Sequence, residues 1–181
     1  MILTVEETRR FIQTDEADDL LTIRLKAVEA AIRAFTNNNF MERECRRLAD
    51  IHGGMFLVEA LPPFEVGDTV QVSVSDHNDG LYTVETVGDA TFTVKEPVRD
   101  EMDVLVTRVV YPDDVKMGVI NLLKWELQNR EKAGVSSETV SRHSVTYFDQ
   151  SAGNTAMGYP VSMLGFLQPY MKARFGQGLR V

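Results

Sequence analysis

The chain is 181 residues long, 44% apolar and 25% charged, and its 19 basic and 27 acidic residues give a formal charge of −8. That composition excludes a disordered chain, and at about 150 residues per domain the length accommodates one domain or a domain with an insertion. The acidic balance argues against nucleic acid or an anionic membrane as the main partner, because both attract basic surfaces.

Cys45 is the only cysteine, which rules out an intrachain disulfide and a cysteine-rich metal site and fits folding in a reducing cytoplasm. Residues 1–7 reach acidic side chains at once and lack the layout of a secretory signal. The stretch 150–171 carries no charge, but glycines, prolines and amides interrupt it, and its apolar pieces fall far short of the roughly 20 residues of a membrane span.

Thr4 followed by Glu7 is a capping box and predicts a short helix through about Gln13. Thr14 and Asp15 predict a second cap, with Glu16, Asp18 and Asp19 favoured by the positive end of the next helix dipole. In that helix Leu21, Leu25, Val28, Ile32 and Phe35 form one apolar stripe, leaving Arg24, Lys26, Glu29 and Arg33 mostly off it. Asn37-Asn38-Asn39 ends it, since asparagine tolerates the left-handed conformation. Cys45, between Glu44 and Arg46, reads as a half-buried thiol in a helical turn.

The texture changes at Gly53-Gly54. Runs at 55–59, 69–75, 81–87, 91–95 and 104–110 are β-rich, and Val70, Val72 and Val74 alternate with Gln71 and Ser73 as in a strand. Asn78-Asp79-Gly80 and Gly88-Asp89 are turn signals. Five short strands in this span predict a small barrel or sandwich of SH3-like or OB-like kind. Helix returns at Tyr111-Pro112-Asp113-Asp114. Val115, Val119, Leu122 and Glu126 lie on one face and Met117, Ile120, Leu123 and Leu127 on the next, an apolar arc wide enough for a central helix. Ala133-Gly134 is its expected end. A β-like run at 144–148 and a loop at 150–158 follow. Tyr159-Pro160 then opens a last amphipathic helix with Val161, Leu164, Phe166, Leu167, Tyr170 and Met171, and Lys172 and Arg174 at its C-terminal end. The expected fold class is α+β: a bundle of about four to five helices (1–52 and 111–181) with an inserted antiparallel β-barrel or sandwich (53–110).

No pattern calls for catalysis, a cofactor or a metal. His52, His77 and His143 share no ligand spacing, and Asp76-His77-Asn78-Asp79-Gly80 misplaces the glycine of a calcium loop and lacks its closing glutamate. The clusters Asp15–Asp19 and Asp100, Glu101, Asp103 are explained by capping and by a solvated strand connection. No phosphate-cradling glycine pattern or nucleophile elbow occurs. The segment Met157, Tyr159, Met163, Phe166, Tyr170 and Phe175 has the residue types of interface cores as well as of a hydrophobic core.

Three segments carry a resemblance. They are Leu3-Thr-Val-Glu-Glu-Thr-Arg-Arg-Phe-Ile with Asp15-Glu-Ala-Asp-Asp-Leu-Leu; Leu122-Leu-Lys-Trp-Glu-Leu-Gln-Asn-Arg-Glu-Lys-Ala-Gly-Val with Ser137-Glu-Thr-Val-Ser-Arg-His-Ser-Val-Thr-Tyr; and Gly158-Tyr-Pro-Val-Ser-Met-Leu-Gly-Phe-Leu-Gln-Pro-Tyr-Met-Lys-Ala-Arg-Phe-Gly. In order and spacing the chain resembles the head–tail connector (adaptor) proteins of tailed bacteriophages over most of 1–40 and 111–176. The β-rich block is a departure, because smaller family members join the helices more directly.

The resemblance implies a structural, non-enzymatic protein of the virion neck, assembled in the host cytoplasm as a ring, typically of twelve subunits, and compatible with a monomer in isolation. Such a ring lies beneath the portal, extends the DNA channel without sequence-specific binding and carries a stopper or tail-completion protein. Ring closure needs heterologous patches, expected from Arg24, Glu29, Arg33, Trp125, Arg130, Arg142 and Tyr147. The portal contacts are expected from Tyr159, Pro160, Phe166, Tyr170, Arg174 and Phe175. The competing expectation is a binding module, in which the β insert recognises a peptide or carbohydrate through Phe56, Phe64, Tyr82 and Phe92, although their alternation better fits an interior.

Overall fold

The structure, a computed structural model, describes residues 1–60, 62–129, 137–140, 143–146 and 155–174. The chain divides into two compact units, one of Met1 with Asn39–Tyr111 and one of Ile2–Asn38 with Pro112–Val181. The architecture is α+β, with a closed six-stranded barrel as the first unit.

The barrel strands are β1 (Met41–His52), β2 (Met55–Val58), β3 (Thr69–Ser73), β4 (Gly80–Val87), β5 (Thr91–Val94) and β6 (Glu101–Val109). Their order around the barrel is β1-β2-β5-β4-β3-β6, and every neighbouring pair is antiparallel. Closure by β1 against β6 removes the exposed edges that an open sheet would offer to other chains. Five strands match the expected runs. The sixth, β1, corrects the expectation that residues up to 52 belong to the helical module and that Cys45 sits in a helical turn: the barrel unit begins at Asn39. Register slips between Met41 and Arg46, so the bulged residues 42–45 show no period-2 pattern. Only further along do buried Ala49 and Ile51 alternate with outward residues.

Inside, the Phe56 and Phe92 rings stack with centroids 4.6 Å apart, and Phe64 meets Phe92 edge-on at 5.2 Å. Ile51, Val70, Val72, Val84, Val104 and Val106 fill the remainder with no exposed surface. Tyr82 packs half-buried against this core. The expected aromatics therefore face the interior of a filled barrel.

The 74–79 loop joining β3 to β4 is held by Glu101, with Asp79 accepting from the Ser75 amide at 3.1 Å. Glu101 on β6 accepts from Ser75 Oγ (2.6 Å), the Asp76 amide (2.5 Å) and Asn78 Nδ2 (2.7 Å). The Ser75 hydroxyl, followed by the backbone and Asn78 donors, holds the Glu101 carboxyl below the usual glutamate range. A depressed folded-state pKa contributes stability that is complete above the unfolded-state value and disappears as pH falls through the lower folded value. Acid titration followed by backbone-amide NMR is therefore expected to show the 74–79 amides keeping their shift dispersion through the ordinary glutamate range and losing it only at lower pH, with Glu101→Ala removing that pH dependence. An acid profile identical in wild type and variant would contradict this.

In the second unit, α1 (Val5–Phe11) starts at the expected capping box: Thr4 Oγ1 accepts from the Glu7 amide at 3.1 Å while Glu7 accepts from the Thr4 amide at 2.8 Å. The second helix, α2, spans Asp18–Thr36 with Ala17 at its N-cap and no side-chain cap. Thr14, expected as a cap, instead closes a local turn by accepting from the Glu16 amide at 3.2 Å. Arg9 laces that turn through Thr14 O and Glu16 O at 3.0 and 2.7 Å. Asn37 adopts the expected left-handed cap at φ 50°. Glu29, expected off the apolar stripe, is 3% exposed.

The third helix, α3 (Asp113–Asn129), buries Val115, Gly118, Val119, Ile120, Leu122 and Leu123. Met117 is half exposed, which narrows the expected arc. Its expected end at Ala133-Gly134 lies outside the described residues. Beyond it, β7 (Ser137–Val140) pairs antiparallel with β8 (His143–Thr146), so the polar stretch holds two strands where one β-like run was expected. β9 (Thr155–Ala156), in the stretch expected as a loop, and β10 (Tyr159–Pro160), expected to open the last helix, form a tight hairpin. Its turn residues Met157 and Gly158 both have positive φ, 57° and 83°, the combination that a type I′ turn requires.

The final segment, Val161–Tyr170, is the expected last helix, wound as a 3₁₀ helix. Val161, Leu164, Leu167 and Tyr170 recur every three residues, so they eclipse on one face at three residues per turn. Leu164 and Leu167 are the buried members of that row. Among the described residues, no helix is long and apolar enough to cross a membrane.

Candidate functional site

The helical unit carries a groove of ≈ 820 Å³, within the usual size range of ligand clefts. From α2, Leu20, Ile23 and Ala27 line it, at spacings of three and four that put them on one helix face. From α3 come Trp125 and Glu126, and from the β9–β10 hairpin Met157 and Tyr159. Leu20 and Ile23 are 42% and 64% exposed. This second apolar row of α2 lies beside the one that enters the core, and its spacing was a signal available in the sequence.

One side of the groove is polar and tightly tied. Arg24 Nε donates to Glu16 at 3.0 Å, and its guanidinium also pairs with Glu126. The Tyr159 hydroxyl donates to the other Glu126 oxygen at 2.8 Å. Burial, and next the Glu126 hydrogen bond, push the Tyr159 hydroxyl far above its ordinary pKa, so the phenol stays a donor. The Arg24 side chain is only 20% exposed, so this network is screened less than the surface pair Arg10–Glu6. The Trp125 and Tyr159 rings meet edge-to-face at 5.9 Å.

At the other end of α2, the chain after the 3₁₀ helix crosses the helix C-terminus. The Lys172 amide donates to Thr36 O at 2.8 Å and Arg174 to Ala34 O at 2.7 Å. These carbonyls are among the four that a helix end leaves without internal partners, and the Arg174 charge suits the negative end of the dipole. Asn37 and Asn38 return the contact by donating to Ala173 O and Tyr170 O at 2.9 and 3.2 Å. The Tyr170 hydroxyl bridges both Asp114 oxygens at 2.8 and 2.9 Å. Its pKa is raised first by that hydrogen bond.

The residues expected to contact a portal therefore have partners within their own unit. Tyr159 and Pro160 are buried, and the Phe166 ring lies against the α3 backbone at Gly118. Tyr170 and Arg174 strap the segment to α3 and α2. Phe175 lies outside the described residues. Of the expected ring-interface residues, Arg24 and Trp125 line the groove, Glu29 is buried and Arg33 is half-buried on α2. Arg130, Arg142 and Tyr147 lie outside the described residues.

Cys45 is half-buried on the β1 bulge. Burial, and then its hydrogen bond with Glu42, raise the thiol pKa, the opposite of what a nucleophilic cysteine needs. Among the described residues no group of three or more His, Cys, Asp or Glu side chains is placed to hold a metal ion. No protein-family model matches the sequence, and no curated protein matches it.

Proposed function

We propose that this protein is a structural head–tail connector of the tailed-bacteriophage adaptor type: a subunit of a ring beneath the portal that prolongs the DNA channel and offers a platform to a stopper or tail-completion protein. One observation carries the proposal. The segments that bear the resemblance, 1–40 and 111–176, coincide closely with one compact unit, Ile2–Asn38 with Pro112–Val181, and the block between them is a closed barrel of its own. A resemblance spread over three separated segments gains force when those segments fold together.

In this proposal the C-terminal segment still meets the portal, with a division of labour. Tyr159, Pro160, Phe166, Tyr170 and Arg174 hold the segment in shape from within. Val161 and Met171, 49% and 50% exposed, present its apolar surface. Deleting the segment would remove the buried Leu164 and Leu167, so surface substitutions are the cleaner test. The double variant Val161→Asp, Met171→Asp is expected to keep its thermal midpoint and to bind the portal at least ~10-fold more weakly, a loss of ~1.4 kcal/mol, by light scattering and sedimentation. Wild-type affinity in the double variant, or a wild-type chain that neither forms rings nor joins a portal, would reject the proposal.

A further inference from the structure

The groove of the helical unit points to a partner chemistry that the connector proposal does not specify and on which it does not depend. We infer that the groove between α2, α3 and the β9–β10 hairpin is a docking site for a basic amphipathic helix of a partner protein. Two features select that occupant. The first is shape and apolarity: Leu20, Ile23 and Ala27 continue along one helix face, opposite Trp125 and Met157. A second helix laying an apolar row into this groove buries the half-exposed Leu20 and Ile23, in the helix-in-groove mode of recognition.

The second feature is charge. Among the described residues, the ionised side chains lining the groove are Arg24 and Glu126. Arg24 is shared between Glu126 and Glu16, so the trio carries one net negative charge. Leu20 directly follows the run Asp15, Glu16, Asp18 and Asp19, of which Asp15, Asp18 and Asp19 are exposed. Arg9 neutralises Asp18. With Glu126, that region presents five carboxylates against two guanidiniums. An acidic helix would set like charge against this surface and a neutral apolar one would gain nothing from it, whereas lysine or arginine flanking the apolar row meets complementary charge.

The protein supplies its own reporter. Trp125 is the single tryptophan and lines the groove, so its emission reads occupancy without a label. The full chain is titrated with a Leu/Lys amphipathic peptide of about 18 residues, roughly 27 Å as a helix. Parallel titrations use its Leu/Glu analogue and a scrambled Leu/Lys sequence of equal composition. Expected are a saturable blue shift with the Leu/Lys helix and at least ~10-fold weaker binding of both controls. Ile23→Lys, at a 64% exposed position, should abolish the shift with the melting curve unchanged, and Asp15→Asn with Asp19→Asn should weaken it several-fold. Three results would overturn the inference: no shift with the Leu/Lys helix, equal affinity for the scrambled or Leu/Glu peptide, or a shift that Ile23→Lys leaves intact. Self-association of the chain that buries Trp125 and is abolished by Ile23→Lys would likewise overturn it, in favour of a second copy as the occupant.

Discussion

Phe92→Ala is expected to destabilise the barrel unit by about 3–5 kcal/mol, the usual cost of deleting a buried phenylalanine. Phe92 is 1% exposed, stacked on Phe56 and touched edge-on by Phe64. Its removal costs the transfer energy of one ring and also strips both neighbours of their aromatic contact. The cavity would be bounded by paired strands of a closed barrel, which collapse less readily than an open sheet. Leu57→Ala on β2 is the control, because Leu57 points outward at 40% exposure and should change stability by less than ~0.5 kcal/mol. Urea denaturation followed by far-ultraviolet circular dichroism measures both. Equal losses would mean that the ring cluster is not what holds the barrel.

Gly118→Leu is the second large effect, and it works by overfilling. A Cβ at 118 would overlap the Phe166 ring, so the glycine is there for close approach between α3 and the 3₁₀ helix. Overpacking of this kind costs about 1–3 kcal/mol, and the upper end applies because a ring already occupies the space. Trp125, two turns further along the same α3 face, makes fluorescence-detected denaturation the natural measurement. Adding Phe166→Ala in the Gly118→Leu background should recover part of the loss, since the introduced side chain then fills the vacated volume. Additive losses would separate the two positions.

The chain displayed some of this architecture and concealed the rest for identifiable reasons. Thr4 with Glu7, the α2 stripe from Leu21 to Ile32, Asn37 and the Val70–Val72 alternation are local rules that the tertiary fold respects. β1 was hidden because Glu42, Arg43, Glu44, Arg46 and Arg47 describe a charged segment with little β propensity, and pairing with β2 and β6 overrides that preference. The last helix was legible as a helix but its winding was not: Val161, Leu164 and Leu167 fit both a 3.6 and a 3.0 repeat over so short a run. Only Pro169, which has no amide to donate, hinted at an irregular end. The groove was legible only in its Leu20–Ile23 spacing: its other walls come from α3 and the β9–β10 hairpin, far away in sequence, and Ala27 and Ala31 add little to an apolar stripe. The strap over α2 was illegible in principle, since it depends on backbone carbonyls of Ala34 and Thr36 that every sequence possesses.

The two ends of the barrel meet. Phe40 O accepts from the Val110 amide at 2.9 Å, Met41 lies opposite Val109, and the Phe40 and Tyr111 rings are 4.9 Å apart. For the polypeptide that hosts it, this seventy-residue excursion is therefore topologically equivalent to a tight turn. Because closure entropy grows only with the logarithm of loop length, and a self-contained body whose termini are clasped imposes less still, the length of this block adds little to the entropic cost of joining the segments before and after it. Variation in size among chains built on such a helical frame would then be concentrated at this seam.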